Sequence, residues 1–206
     1  MPGICGRVAV AAAFIALSAV PAAHALPGPP VEPKPVPAPA AALDAAPAAD
    51  QAPALPARAV EELDRFRRDA AEGALGNPVM YGDGQCYPLV QQYIQALGSW
   101  RNRDPSGNAF DLYEHFATNG LGQYFDQVPF DGGLNAPQVG DVVVYGPGGY
   151  VSEHGHAGVV TAVRGSGSLL QYEVAEQNSS GRLFVTLNWR DVSPMWNTLG
   201  YLRPKP

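Results

Sequence analysis

GDGQCYPLVQQYIQALG, residues 82–98, sets a glycine-rich turn directly before a cysteine and an apolar stripe after it. Leu89, Val90, Tyr93, Ile94 and Leu97 recur at spacings of three and four, which places them on one face of a helix. Pro88 falls in the opening turn, where a missing N–H breaks no internal bond, and Gly98 suits the left-handed position past the helix end. The helix is therefore predicted to begin at Cys86. A thiol there lies at the positive end of the helix dipole among unpaired backbone N–H groups, which favours the thiolate and offers donors to a developing oxyanion.

Downstream of this helix the pattern stays helical and then changes period. Trp100 to Gly107 is polar and turn-rich. Asn108 reads as the N-cap of a second helix, Ala109 to Thr118, with Phe110, Tyr113 and Phe116 as an aromatic core stripe. After Asn135 come short β-branched runs: Asp141–Tyr145, His156–Val163, Leu169–Ala175, Leu183–Trp189 and Leu199–Arg203. Gly146-Pro147-Gly148-Gly149 and Gly165-Ser166-Gly167 supply turns between them. Helices first and strands second predict an α+β domain, its N-terminal helices packed on one antiparallel sheet.

Upstream, residues 58–76 form a second amphipathic segment, with Ala59, Leu63, Phe66 and Ala70 on one face and most charges elsewhere; Gly76-Asn77-Pro78 ends it. Residues 26–57 are dominated by proline and alanine, a composition that cannot bury a core and populates extended polyproline II, so they read as a disordered spacer. Residues 1–25 carry Arg7, an uncharged apolar run from Val8 to Val20 and the small-x-small sequence Ala23-His24-Ala25, the pattern of a cleaved secretory signal peptide. The run is short for a membrane span, so none is expected after cleavage. The expected location is secreted or at the cell envelope.

The formal charge of the chain is −6, and losing Arg7 with the signal makes it more acidic by one. That excludes an electrostatic fit to nucleic acid. Cys5 leaves with the signal, so the mature chain holds one cysteine in an oxidising compartment with no disulfide partner, a free thiol whose helix-start position points to a nucleophile.

A cysteine nucleophile needs a base within hydrogen-bond reach and a third group to fix the base. Of four histidines, His24 leaves with the signal and His115 lies mid-helix, leaving His154 in a turn and His156 at a strand start. His156 is the stronger candidate. On the next strand Glu176 and Asn178 are two apart and are expected to point the same way off the pleat, where a carboxylate facing the imidazole would hold its tautomer.

GDGQCYPLVQQYI, GNAFDLY, PQVGDVVVY, GHAGVVTAV and EVAEQN, in that order, resemble the CHAP family of cysteine, histidine-dependent amidohydrolases and peptidases, of the papain-like clan. The likeness covers Tyr81 to about Trp189, making residues 77–206 a CHAP-like catalytic domain. The resemblance implies a papain-like fold and peptidoglycan or its peptides as substrate. It matches Cys86 to the nucleophile, His156 to the base, Glu176 to the orienting acid, Asn178 to an accompanying polar residue and Gln85 to an oxyanion donor. The implied activity is that of an N-acetylmuramoyl-L-alanine amidase or a peptide or cross-bridge endopeptidase. The calcium loop of some phage members is not evident, so neither metal nor cofactor is expected. No wall-binding domain is recognisable, and another wall or envelope protein is the expected partner for targeting.

Three rival readings accompany this one. His154 and His156 with Glu153 or Glu176 form a candidate zinc set, but that leaves Cys86 and its turn unused. The same cleft on a spacer suits a non-catalytic wall-binding or interaction module. The same chemistry also suits a secreted toxin or lysin.

Overall fold

The computed structural model describes residues 54–103 and 107–206. The expected signal peptide and all of the expected spacer before residue 54 lie outside them. Among the described residues three α-helices, α1 (Ala57–Ala74), α2 (Cys86–Leu97) and the short α3 (Asp111–Glu114), precede six strands: β1 (Phe125–Pro129), β2 (Val142–Tyr145), β3 (His156–Arg164), β4 (Gln171–Glu176), β5 (Thr186–Asp191) and β6 (Thr198–Pro204). The strands form one antiparallel sheet in the order β1-β6-β2-β3-β4-β5. The α+β expectation holds, helices first and sheet second.

The stripe on α2 does what its spacing requires. Leu89, Val90, Tyr93 and Ile94 are fully buried against Ala59, Leu63 and Phe66 of α1 and against Val142, Val144, Ala157, Val159 and Leu202 of the sheet. Fully burying a side chain such as Phe66 or Ile94 contributes roughly 1.5–3 kcal/mol. The opposite sheet face buries Val143, Tyr145, Val160, Tyr172, Val174 and Tyr201. Burial on both faces is why the run from Val142 to Tyr145 is continuously apolar instead of alternating. The core also takes in Leu55, inside the stretch expected to be spacer.

Several local expectations need correction. Gly98 is extended, at φ −178° and ψ 171°, not left-handed. Its need for glycine is close approach, since a Cβ there meets the Tyr124 ring at 2.1 Å. The helix expected from Ala109 to Thr118 is only the four residues of α3, and Phe110, not Asn108, occupies its N-cap position. Asn119 explains the early end: its side chain donates to Leu112 O at 3.0 Å and accepts from Leu121 N–H at 3.0 Å, drawing the chain into a turn. Leu183 to Val185 stay outside β5 because Val185 N–H donates to Val79 O at 2.9 Å, fastening this segment to the cysteine turn. Edge strand β1, which ends in a proline, gave too weak an alternation to be anticipated.

Antiparallel pairing brings the C-terminal ends of β2 and β4 to the same end of the sheet as the N-terminal ends of β3 and β5. Tyr145, His156, Glu176 and Thr186 therefore meet there, and the N-terminus of α2 comes down beside β3 and β4.

Candidate active site

The glycine turn before Cys86 is held from below by a side chain that sequence reasoning did not single out. Gln177, fully buried, accepts from Tyr81 N–H at 2.7 Å and donates from Nε2 to Tyr81 O at 3.0 Å and Gln85 O at 2.9 Å. Gly84 completes the turn at φ +82°, where a Cβ meets Leu183 O at 2.5 Å, so both conformation and space demand glycine. The chain then enters α2 at Cys86, whose residue is 9% exposed.

His156 opens β3, its side chain 14% exposed. Nε2 lies 2.7 Å from Glu176 Oε2, which leaves Nδ1 to meet the Cys86 thiol, to which the imidazole is hydrogen-bonded. Burial raises the thiol pKa, but the bond to His156, its charge and the backbone N–H groups of Ala157 and Tyr87 outweigh it and bring the thiol below its ordinary value. Burial disfavours the imidazolium, yet Cys86 and Glu176 on either side raise the ring to about 9. Burial also opposes ionisation of Glu176, and His156 with Arg190 overcomes it, bringing the carboxyl down to about 2. All three directions favour thiolate, imidazolium and carboxylate in sequence.

The carboxylate has two further partners missed from sequence. Asn188 Nδ2 donates to Oε1 at 2.8 Å, and Arg190 Nη2 donates to Oε2, the oxygen that also meets His156. Thr186, Asn188 and Arg190 stand at alternate positions of β5, a polar period-two pattern that a strand reading of this segment contains.

Asn178 departs from its expected place. β4 ends at Glu176, the chain turns, and Asn178 sits at φ +56° with its N–H bonded to Arg182 O at 2.7 Å. Its side chain therefore does not run parallel to that of Glu176; Nδ2 donates instead to Gln85 Oε1 at 2.6 Å. Gln85 and Asn178 are brought together beside Cys86, while His156 and Glu176 form the other half of the site. His154 lies in an exposed turn, its Nδ1 3.2 Å from Asn108 Oδ1, away from the His156–Glu176 pair. Among the described residues no three metal-ligating side chains cluster.

These groups open into a cleft of about 880 Å³. Gln85, Cys86 and His156 line it together with Asn178 to Ser180 and with Tyr150, Val151, Ser152 and Trp196. The arrangement offers a polarised thiol, a proton carrier and amide donors in one water-accessible groove.

The sequence model of the CHAP domain family matches residues 76–178, half of the chain and the part holding Cys86, His156, Glu176 and Asn178. No curated protein matches. Among solved structures, the crystal structure of Ly7917 is similar at 20% identity and a TM-score of 0.55, over 71% of this chain and 62% of that one. The structure of Ly7917 with the hydrolyzing product of MDP gives 20% and 0.54, with the same coverage. The wild type endolysin LysIME-EF1 gives 22% and 0.51, over 71% and 63%. This chain thus spans less than two thirds of the length of each, and at these identities the likeness speaks for the fold, which is papain-like. From the order of its motifs, the matched span and this fold, the chain belongs to the CHAP domain family.

Proposed function

We propose that the protein is a secreted cysteine peptidoglycan hydrolase that cleaves an amide bond through a thioester. The observation that carries this reading is the hydrogen-bonded line from the Cys86 thiol through His156 to Glu176, opening into the cleft. Family membership supports it, as does a similar solved structure that contains the hydrolyzing product of MDP.

The Cys86 thiolate attacks the amide carbonyl carbon, forming the S–C bond and moving the carbonyl electron pair onto oxygen. The Cys86 N–H and the Gln85 side chain, whose carbonyl end is occupied by Asn178, offer hydrogen bonds to that oxyanion. As the intermediate collapses, His156 passes its proton to the departing nitrogen and the C–N bond breaks. Water then attacks the thioester while His156 takes its proton, and loss of the thiolate releases the acid product. Glu176 keeps the ring in place throughout.

In this reading residues 1–25 direct export, the proline- and alanine-rich segment sets the domain at a distance, and residues 77–206 act at the cell envelope. The bond is the muramoyl–L-alanine link or one within the stem peptide or cross-bridge. Another wall or envelope protein supplies targeting. Digestion of purified peptidoglycan by the protein beside its Cys86→Ala variant, with mass spectrometry of the fragments, tests it. New ends from wild type alone are expected, and their chemistry names the bond. Equal silence from both proteins rejects the proposal for this substrate.

A further inference from the structure

One buried cation at the site has no part in the chemistry above. Arg190, on β5, is 5% exposed and binds Glu176 Oε2 through Nη2, sharing that oxygen with His156 Nε2. Its guanidinium lies 3.8 Å from the Trp196 ring centroid and 5.2 Å from that of Tyr145. Tyr145 in turn stacks on the His156 ring, with centroids 6.0 Å apart and planes 23° from parallel. A planar guanidinium meets a carboxylate edge and two aromatic faces at once, which an ammonium does not.

The consequence is electrostatic. Arg190, Glu176, His156 and Cys86 alternate in sign when the thiol and ring are an ion pair. A carboxylate that serves one cation alone holds it more tightly than one divided between two. We infer that Arg190 is a positioning residue for the proton carrier: by sharing Glu176 with His156 it limits how firmly the carboxylate holds the imidazolium, keeping the ring able to release its proton. The inference rests on the proposed Cys86–His156 pair. Glu176 does not depend on Arg190 for its location, because Asn188 and His156 hold both of its oxygens. The titratable groups facing the quartet from β2 and β4 are Tyr145 and Tyr172, whose hydroxyls burial raises above their ordinary range, so they stay neutral.

The test reads the thiol without any substrate. The rate of Cys86 alkylation by iodoacetamide, followed across about pH 4 to 10, reports one step where the thiolate forms and another where the ring loses its proton. In Arg190→Gln both steps are expected to move to higher pH by about one unit, because removing a buried positive charge raises the pKa of each neighbour. Arg190→Lys, which keeps the charge, is expected to return both steps toward wild type. A purely structural role predicts the opposite for the ring, since a displaced Glu176 would lower the second step. Arg190→Met, whose chain still packs on Trp196 and Tyr145, repeats the measurement if the glutamine variant does not fold, with the same upward shift expected. Wild-type steps in a folded neutral variant, a downward second step, or failure of both neutral variants to fold each overturn the inference. A wild-type thiol with no depressed step instead defeats the proposed nucleophile itself, and it does so before any variant is made.

Discussion

Asn178 Nδ2 lies 2.6 Å from Gln85 Oε1, and both residues line the cleft that also holds His156. Its amide is thereby tied to the residue before the cysteine instead of to the histidine. Losing it should loosen the Gln85 side chain while sparing the His156–Glu176 bond. Asn178→Ala is expected to lower kcat about tenfold with little change in KM, as for loss of support to one oxyanion donor. Asn178→Gly should lose as much activity, yet be the more stable of the two because Asn178 sits at φ +56°. Steady-state kinetics and thermal melts of the pair check this; a KM effect alone would contradict it.

Stability should pass through a plateau in pH. Glu176 is ordinarily near 4.5 and is held down to about 2. The stability its charge contributes is complete above the ordinary value and disappears as pH falls toward the folded one. His156 works in the other direction: raised from 6.5 to about 9, its contribution is complete below the ordinary value and is lost as pH rises through about 9. Cys86, its thiol held below its ordinary value, adds stability as pH rises toward that value and offsets part of the His156 loss. Urea unfolding midpoints should therefore fall below about pH 4.5 and again as pH rises through about 9. A midpoint still climbing beyond about pH 9 would count against the charged pair.

Gln177→Leu should show how much the nucleophile depends on its turn. The variant leaves Tyr81 N–H, Tyr81 O and Gln85 O without the bonds that Gln177 now supplies. A loss of about 2–4 kcal/mol in unfolding free energy is expected from stranding these buried backbone groups, together with slower alkylation of Cys86. Denaturant titration and thiol labelling on the same sample separate the effects. Unchanged labelling would show that the turn keeps its shape without Gln177.

Gly158 stands two residues after His156, and a Cβ there meets Val174 Cγ1 at 2.3 Å and Ala175 O at 2.8 Å. Gly158→Ala is expected to cost about 1–3 kcal/mol as overpacking, and to push β3 from β4 where His156 meets Glu176. Activity should fall further than the unfolded fraction accounts for. A crystal structure or a pH profile identical to wild type would place the damage elsewhere.

The parts of this fold that read clearly from sequence are those in which one local rule acts alone. The α2 stripe has a single period, and the cysteine at its start follows from the glycines before it. The strand run from Val142 to Tyr145 leaves no helical option. His156 and Glu176 were legible because each stands at the end of a strong strand. Alternation misplaces Asn178 because it stops where β4 stops, and the positive φ that turns the residue away is not marked by a glycine. Arg190 and Asn188 were hidden by a strand read three residues too early, since Leu183 to Val185 look like strand but are fastened to Val79. Gln177 shows no pattern at all; its three bonds reach back to a turn more than ninety residues earlier.

The strand latest in sequence, β6, lies between β1 and β2 in the sheet, and β2 in turn pairs with the strand that opens with His156. A nascent or clipped chain that stops short of Thr198 carries every residue of the thiol–imidazole–carboxylate line and lacks a central support of the sheet that aligns them. Non-local pairing of this kind forms late. Assembly order thus acts as a safeguard: the thiol, imidazole and carboxylate are held in line only in a chain that includes Thr198–Pro204.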